Sequence, residues 1–225
     1  MKAKTLKLPQ VIAVDGPSAS GKGTLSRRMA RELGYIYVDS GAMYRTLAWY
    51  CLQRGIRLEK PMTEADEKAV IRQLRNWKWE LRVIEGQAWI HVDGYFPATE
   101  IRTDVVEKAV PVVAQIGKVR DWMVARQRDC AALGPLVMEG RDIGTEVFPL
   151  APVKFFLEAD EEERQKRIEG RWGNTSAARR DHMDSTRKKG ALIPALDSIR
   201  VNNTGQTPDE TFAIMRDHVR SRLGL

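Results

Sequence analysis

Gly16-Pro17-Ser18-Ala19-Ser20-Gly21-Lys22-Gly23-Thr24 fits the spacing G-x-x-x-x-G-K, with a threonine two places after the lysine. Each part of that run has a physical use. Glycines let consecutive backbone N–H groups turn inward on phosphate oxygens. A helix opening at Lys22 adds the positive end of its dipole. Lys22 reaches β- and γ-phosphates, and a hydroxyl, from Thr24 rather than Ser20, can ligate Mg²⁺. The motif requires a strand before it and a helix after it. Val11-Ile12-Ala13-Val14-Asp15 reads as a buried strand, and Lys22 to Leu33 carries Leu25, Met29 and Leu33 at spacings of four. A glycine-rich turn that holds a lysine by coincidence is the weaker alternative.

Two more clusters sit where strands are expected to end. Asp39-Ser40-Gly41-Ala42-Met43-Tyr44-Arg45 follows the second strand, at the edge where open α/β sheets bind ligands. Ser40 opens a helix there, and Arg45 can fork onto a phosphate. Otherwise Ser40 is a plain cap and Arg45 a surface charge. Glu139-Gly140-Arg141-Asp142 repeats the theme: a fixed guanidinium, a fixed acceptor, and in Glu139 an acidic group facing the phosphate loop that can hold Mg²⁺ through water. The plainer reading is an ion pair between Arg141 and Asp142.

A third group, Arg180, Asp184 and Arg187, shares one helical face by its spacing. It lies in the most basic stretch of the chain. Residues 164–189 hold nine Lys or Arg against three Asp or Glu, so most of the net charge of +7 is concentrated there. A local excess of this kind points to a phosphate-bearing ligand. Moving a phosphoryl group between two anions needs several cations around the migrating charge. Mobile arginines that close over it also exclude water.

These residues need elements to hold them. Strands are expected at 11–15, 35–39, 136–138, 153–157 and 198–201, with helices at 22–33, 42–53, 118–133, 160–169 and from 207 onward. That alternation predicts a parallel sheet. Thr63 with Asp66, and Thr207-Pro208-Asp209-Glu210, read as helix starts. Between them, 77–84 and 88–92 read as short antiparallel strands. The division expected is a core of residues 1–40 and 117–225, with a lid at about 164–189, and an insertion at 41–116.

The chain has 225 residues, 43% hydrophobic and 30% charged, which is enough for a full core. Cys51 and Cys130 supply neither a disulfide framework nor metal-ligand spacing. No apolar run approaches the roughly 20 residues that span a bilayer, and no signal-peptide core follows the basic N-terminus. A cytoplasmic monomer without membrane or nucleic-acid partners is expected. A GTPase would carry Asn-Lys-x-Asp, which is absent.

Three motifs in order, GPSASGKGT, DSGAMYR and EGRDIGTEVFP, together with EIRTDVVEKAV, KVRDWMVARQR and RRDHMDSTR, make the chain resemble bacterial cytidylate kinases from about Val11 to the C-terminal helix. The resemblance implies a P-loop α/β fold with a five-stranded parallel sheet, flanking helices, an α+β acceptor-binding insertion and a short lid. It also implies transfer of the γ-phosphoryl group of ATP to CMP or dCMP with Mg²⁺. By position, residues 16–24 would hold the ATP phosphates, with Arg167 against adenine and Arg171 near the donor phosphates. Ser40, Arg45, Arg141 and Arg187 would serve the acceptor phosphate or the transferring group. Arg120 and Asp142 would read the cytosine edge, and Arg180 and Asp184 would contact the sugar. Lys22, Arg141 and Arg187 would be catalytic, and Thr24 and Glu139 would serve the metal.

The chain departs from that family at several places. Pro111 replaces a serine that usually contacts the base, and Gly117 replaces a proline before KVR. The stretch between Arg171 and Arg179 is short, and Glu139 stands where aspartate is common. The other readings are a kinase of the same fold acting on another nucleoside monophosphate or a small alcohol, and a nucleotide-dependent nucleic-acid binder.

Overall fold

The computed structural model describes residues 10–172, 185 and 190–225. Among them, the strands are β1 (Val11–Asp15), β2 (Ile36–Asp39), β3 (Trp79–Ile84), β4 (Gln87–Val92), β5 (Leu136–Gly140), β6 (Val153–Glu158) and β7 (Ile199–Asn202). They form one sheet in the order β3-β4-β2-β5-β1-β6-β7. The five parallel strands expected are β2-β5-β1-β6-β7. The expectation of a five-stranded sheet is corrected in one respect. The β3–β4 hairpin joins the same sheet: β4 runs parallel to β2 through Tyr37–Gln87 and Val38–Ala88, and β3 pairs antiparallel to β4.

The helices are α1 (Lys22–Leu33), α2 (Ser40–Leu52), α3 (Glu64–Asn76), α4 (Asp104–Val113), α5 (Gly117–Asp129), α6 (Glu161–Trp172) and α7 (Pro208–Leu223). None of the described helices is long and apolar enough to cross a membrane.

Both faces of the sheet are buried at its central strands, which explains why β1 reads as an unbroken apolar run. Val11 and Ala13 face one cluster, with Leu47 of α2, Val106 and Val113 of α4, and Met123 of α5. Ile12 and Val14 face the other, with Leu25 and Met29 of α1 and Phe212 and Met215 of α7. Residues from the expected insertion therefore share one continuous core with β1 and β5. Trp77 and Trp122 are packing residues: the ring of Trp77 lies 5.4 Å from that of Tyr50 and 5.2 Å from that of Trp122. Cys51 and Cys130 are buried free thiols, and burial pushes each up to about 12, which leaves them unreactive.

Both expected helix starts are capping boxes. Thr207 Oγ1 accepts from Glu210 N at 3.2 Å, and Glu210 Oε2 accepts from Thr207 N at 2.8 Å, with Pro208 in the first turn. Thr207→Ala is expected to cost about 1 kcal/mol of stability, read as a lowered urea midpoint. The cap is not part of the larger cleft described below, so KM for CMP should stay within twofold, whereas its neighbours Gln206 and Pro208 line the smaller cavity, where any kinetic change should be felt.

Candidate active site

The parallel pairing sets three acidic residues in a row at the carboxyl edge of the sheet. Asp15 of β1 is level with Gly140 of β5, and Asp39 of β2 is level with Glu139 of β5. The phosphate loop leaves this edge after β1. The helix bearing Arg45 leaves it after β2, and Arg141 and Asp142 leave it after β5.

The phosphate loop takes the conformation its residues predict. Gly16 has φ +151°, and a Cβ there would be driven into the Leu157 carbonyl. Gly21 (φ +90°) precedes α1, whose first turn carries no acidic side chain. The N-terminal dipole of α1 is therefore left for an anion. Lys22 is buried and folds back over the loop, donating to the Pro17 carbonyl at 2.6 Å and to Ser20 Oγ at 3.4 Å. A Cβ on Gly23 would lie 2.9 Å from Glu139 Oε1, so glycine permits the close approach of that carboxylate to the loop. Tyr37 donates its hydroxyl to Glu139. Burial first, and then the charge of Asp39, push the Glu139 carboxyl above its usual range, against the pull of Lys22.

At the second strand end the helix cap is Asp39, not Ser40. Asp39 Oδ1 accepts from Ala42 N at 2.8 Å, and Oδ2 accepts from Arg45 at 2.6 Å. Burial works against its charge, but Arg45, the Ala42 N–H and Arg102 together hold the Asp39 carboxyl below the usual value. Ser40 is buried and donates to the Glu139 carbonyl at 2.6 Å, tying the end of β2 to β5. Arg45 also faces Glu107 of α4 at 3.8 Å. Its Nε is buried with no hydrogen-bond partner among the described residues.

At the third strand end the ion pair is Arg120–Asp142, not Arg141–Asp142, and both partners are buried. Arg141 Nη1 donates to the Gly140 carbonyl at 3.4 Å and lines the cleft. After Asp142 the backbone makes a π-helical turn, Ile143–Val147.

One cleft of about 650 Å³ collects these groups. Lys22, Gly23 and Thr24 line one end; Arg45, Arg120, Arg141 and Asp142 line the other, with Ser40 and Glu139 between. Val110, Pro111 and Ala114 add apolar lining to the same cleft. Pro111 thus brings a ring, and no hydroxyl, to the place where the resembling family has a serine. A second cavity of about 470 Å³ lies on the other side of the loop, against Ala19, Gly21, Thr24, Arg167, Asn203 and Gln206. Arg167 Nη1 reaches the Ala19 carbonyl at 3.3 Å and Asn203 Oδ1 at 3.2 Å. Of the other expected site residues, Arg180, Asp184, Arg187 and the side chain of Arg171 lie outside the described residues.

The structure also adds residues to which the sequence motifs assigned no role, two of them inside EIRTDVVEKAV. Arg102 and Glu107 line the cleft. Asn203 Nδ2 donates to the Ser20 carbonyl at 2.8 Å, bracing the loop from behind. Buried Asp15 accepts from Ile143 N at 2.8 Å and Gly144 N at 2.7 Å. A signal for Asn203 was present in Asn202-Asn203-Thr204 after the last strand, a polar run at the ligand-binding edge of the sheet.

Known proteins resemble the chain in fold and in sequence. TT1252 from Thermus thermophilus shares the fold, with TM-score 0.51 at 16% identity, covering 96% of this chain and 99% of that one. A protein named cytidylate kinase from Geobacillus sp. (strain WCH70) is 39% identical over 224 residues, covering 95% of this chain and 97% of its own. Another of that name, from Nocardia farcinica (strain IFM 10152), is 41% identical over 216 residues, covering 91% and 90%. The family profile described as cytidylate kinase matches residues 12–221, and with it the phosphate loop, the Asp39–Arg45 helix start and the Arg141–Asp142 turn all fall within one match, so the chain belongs to the cytidylate kinase family.

Proposed function

We propose that the protein transfers the γ-phosphoryl group of ATP to CMP or dCMP, giving ADP and CDP or dCDP. The observation that carries this reading is the single cleft with Lys22 and the phosphate loop at one end and the buried Arg120–Asp142 pair at the other. The loop takes the donor phosphates, with the adenosine directed toward the cavity beside Arg167 and Asn203. Arg45 and Arg141, which both line the cleft, take the acceptor phosphate. Asp142 accepts from the cytosine N4 amino group, where uracil would present an acceptor, and Arg120 donates to the same edge of the base. A site that requires such a hydrogen bond rejects the analogue lacking it better than shape alone can.

The acceptor phosphate oxygen is already a competent nucleophile, so no general base is needed. Catalysis rests on alignment and on positive charge around the moving group, supplied by Lys22 and Arg141. In this reading Arg187, Arg180 and Asp184 complete the acceptor site, and Arg171 joins the donor phosphates. Thr24 and Glu139 suit Mg²⁺. The Glu139 carboxylate is held against the loop at Gly23, and its raised pKa reflects a buried negative charge that a cation would relieve. Bound there with ATP, the metal would neutralise charge on the β- and γ-oxygens.

An ADP-release assay across CMP, dCMP, UMP and AMP tests the assignment. CMP and dCMP should give the highest kcat/KM. Turnover of UMP or AMP above CMP would overturn it.

A further inference from the structure

We propose that Asp15 is a positioning residue for base recognition, fixing the turn that carries Arg141 and Asp142 to the root of the phosphate loop. The inference rests on the CMP-kinase reading above. Asp15 is the last residue of β1, and the phosphate loop begins at the next residue. Its carboxylate is buried and is spent on the other ligand site: Oδ1 accepts from Ile143 N at 2.8 Å and Oδ2 from Gly144 N at 2.7 Å. Those two N–H groups open the π-helical turn immediately after Asp142. Such N–H groups at the start of a turn have no partner within it, and a carboxylate that accepts both defines direction as well as distance.

Two observations show that the junction has little room to move. Gly144 sits against Asp15 and the stem of Lys154: a Cβ there would lie 3.4 Å from Asp15 Oδ2 and 3.2 Å from Lys154 Cδ. On its far side the turn is tied to α5, where Arg128 Nε donates to the Val147 carbonyl at 2.9 Å. The segment holding Arg141 and Asp142 is thus fixed at its start by β5, through its middle by Asp15, and at its end by Arg128. Asp15 is the member of this set that is covalently continuous with the donor loop. It sets the distance between donor and acceptor sites without touching either nucleotide. The cost is a buried charge: burial pushes the Asp15 carboxyl up to about 6, although both backbone N–H groups and Lys22 favour ionisation. It also stands beside the like charge of Asp142.

The test is Asp15→Asn, which keeps the shape but turns an amide NH₂ toward one of the two N–H groups. Steady-state kinetics at pH 8 would give KM for ATP and for CMP, and kcat/KM for CMP and UMP. The expected result is a rise of about tenfold or more in KM for CMP, KM for ATP within twofold of wild type, and a fall of about tenfold in the CMP-to-UMP ratio. KM values and this ratio do not depend on the fraction of enzyme that is folded, so simple destabilisation would leave them unmoved. Gly144→Ala provides a second variant that spreads the same junction with Asp15 intact. It should shift the CMP-to-UMP ratio in the same direction. An unchanged ratio in both variants would overturn the role of Asp15. Wild-type enzyme that fails to prefer CMP would instead overturn the reading beneath it.

Discussion

Lys22→Ala is expected to lower kcat by at least about a hundredfold with both substrates saturating. The ammonium group is buried in the loop and folded onto the Pro17 carbonyl at 2.6 Å, within reach of the cleft that it lines. In the proposed reaction it would meet the donor phosphates where negative charge develops during transfer. Removing one preorganised donor from such a site typically costs a factor of about 10²–10³ in kcat. A side effect follows from its neighbours. Lys22 lowers the pKa of both Asp15 and Glu139, so its loss leaves two buried carboxylates less well compensated. A modest fall in the urea midpoint should accompany the kinetic loss. CMP binding measured by calorimetry should change little, because Arg45, Arg141 and Asp142 lie at the other end of the cleft. Turnover within tenfold of wild type would remove Lys22 from the catalytic set.

The parts of the site legible in the sequence are those built from neighbours in the chain. The strand–loop–helix unit from Val11 to Leu33 matches its expectation because the β-branched run, the glycines and the four-residue spacing of Leu25, Met29 and Leu33 are all local signals. Gly34 ends that helix in the left-handed conformation, as a stop signal should. The two capping boxes are legible for the same reason. Helix α4 was not. Val105, Val106, Val110, Val112 and Val113 argue against a helix on propensity, and Pro111 lacks the N–H that would bond the Glu107 carbonyl. It forms because Val106, Ala109 and Val113 lie on one face and are buried against the main core. That packing brings Glu107 to Arg45.

The attachment of the β3–β4 hairpin to β2 also depends on distant residues. It rests on Tyr37 and Val38 meeting Gln87 and Ala88, which no local pattern announces. Asp15 is the clearest case. As a strand-end residue before a glycine it carries no chemical signal, and its partners lie 128 and 129 residues further along the chain. Arg120 and Asp142 were each marked as base-reading residues by family resemblance, but their mutual ion pair is a product of folding. Spacing had offered Arg141 as the partner. The β5 strand end instead leaves Arg141 in the cleft and buries Asp142 against α5.

Replacing Asp142 has the second large expected effect, and the choice of replacement separates its ion pair with Arg120 from the base recognition proposed for it. Asp142→Ala removes the carboxylate from a buried ion pair and leaves Arg120, 3% exposed, without it. Breaking such a pair on one side typically costs about 3–5 kcal/mol, so the urea midpoint should fall sharply. In the same variant KM for CMP should rise by at least about tenfold while KM for ATP moves less than threefold, because the second cavity and the loop are untouched. Asp142→Asn isolates recognition from stability. Its carbonyl can still accept from Arg120, and its amide can donate to the O4 of uracil where the carboxylate repels it. The CMP-to-UMP ratio of kcat/KM should therefore fall by about a hundredfold or more, with UMP gaining in absolute terms. No loss of folding produces a gain for the disfavoured substrate. If Asp142→Asn lowered CMP and UMP turnover in equal proportion, Asp142 would be a structural partner of Arg120 alone, and selection of the base would have to come from elsewhere in the cleft.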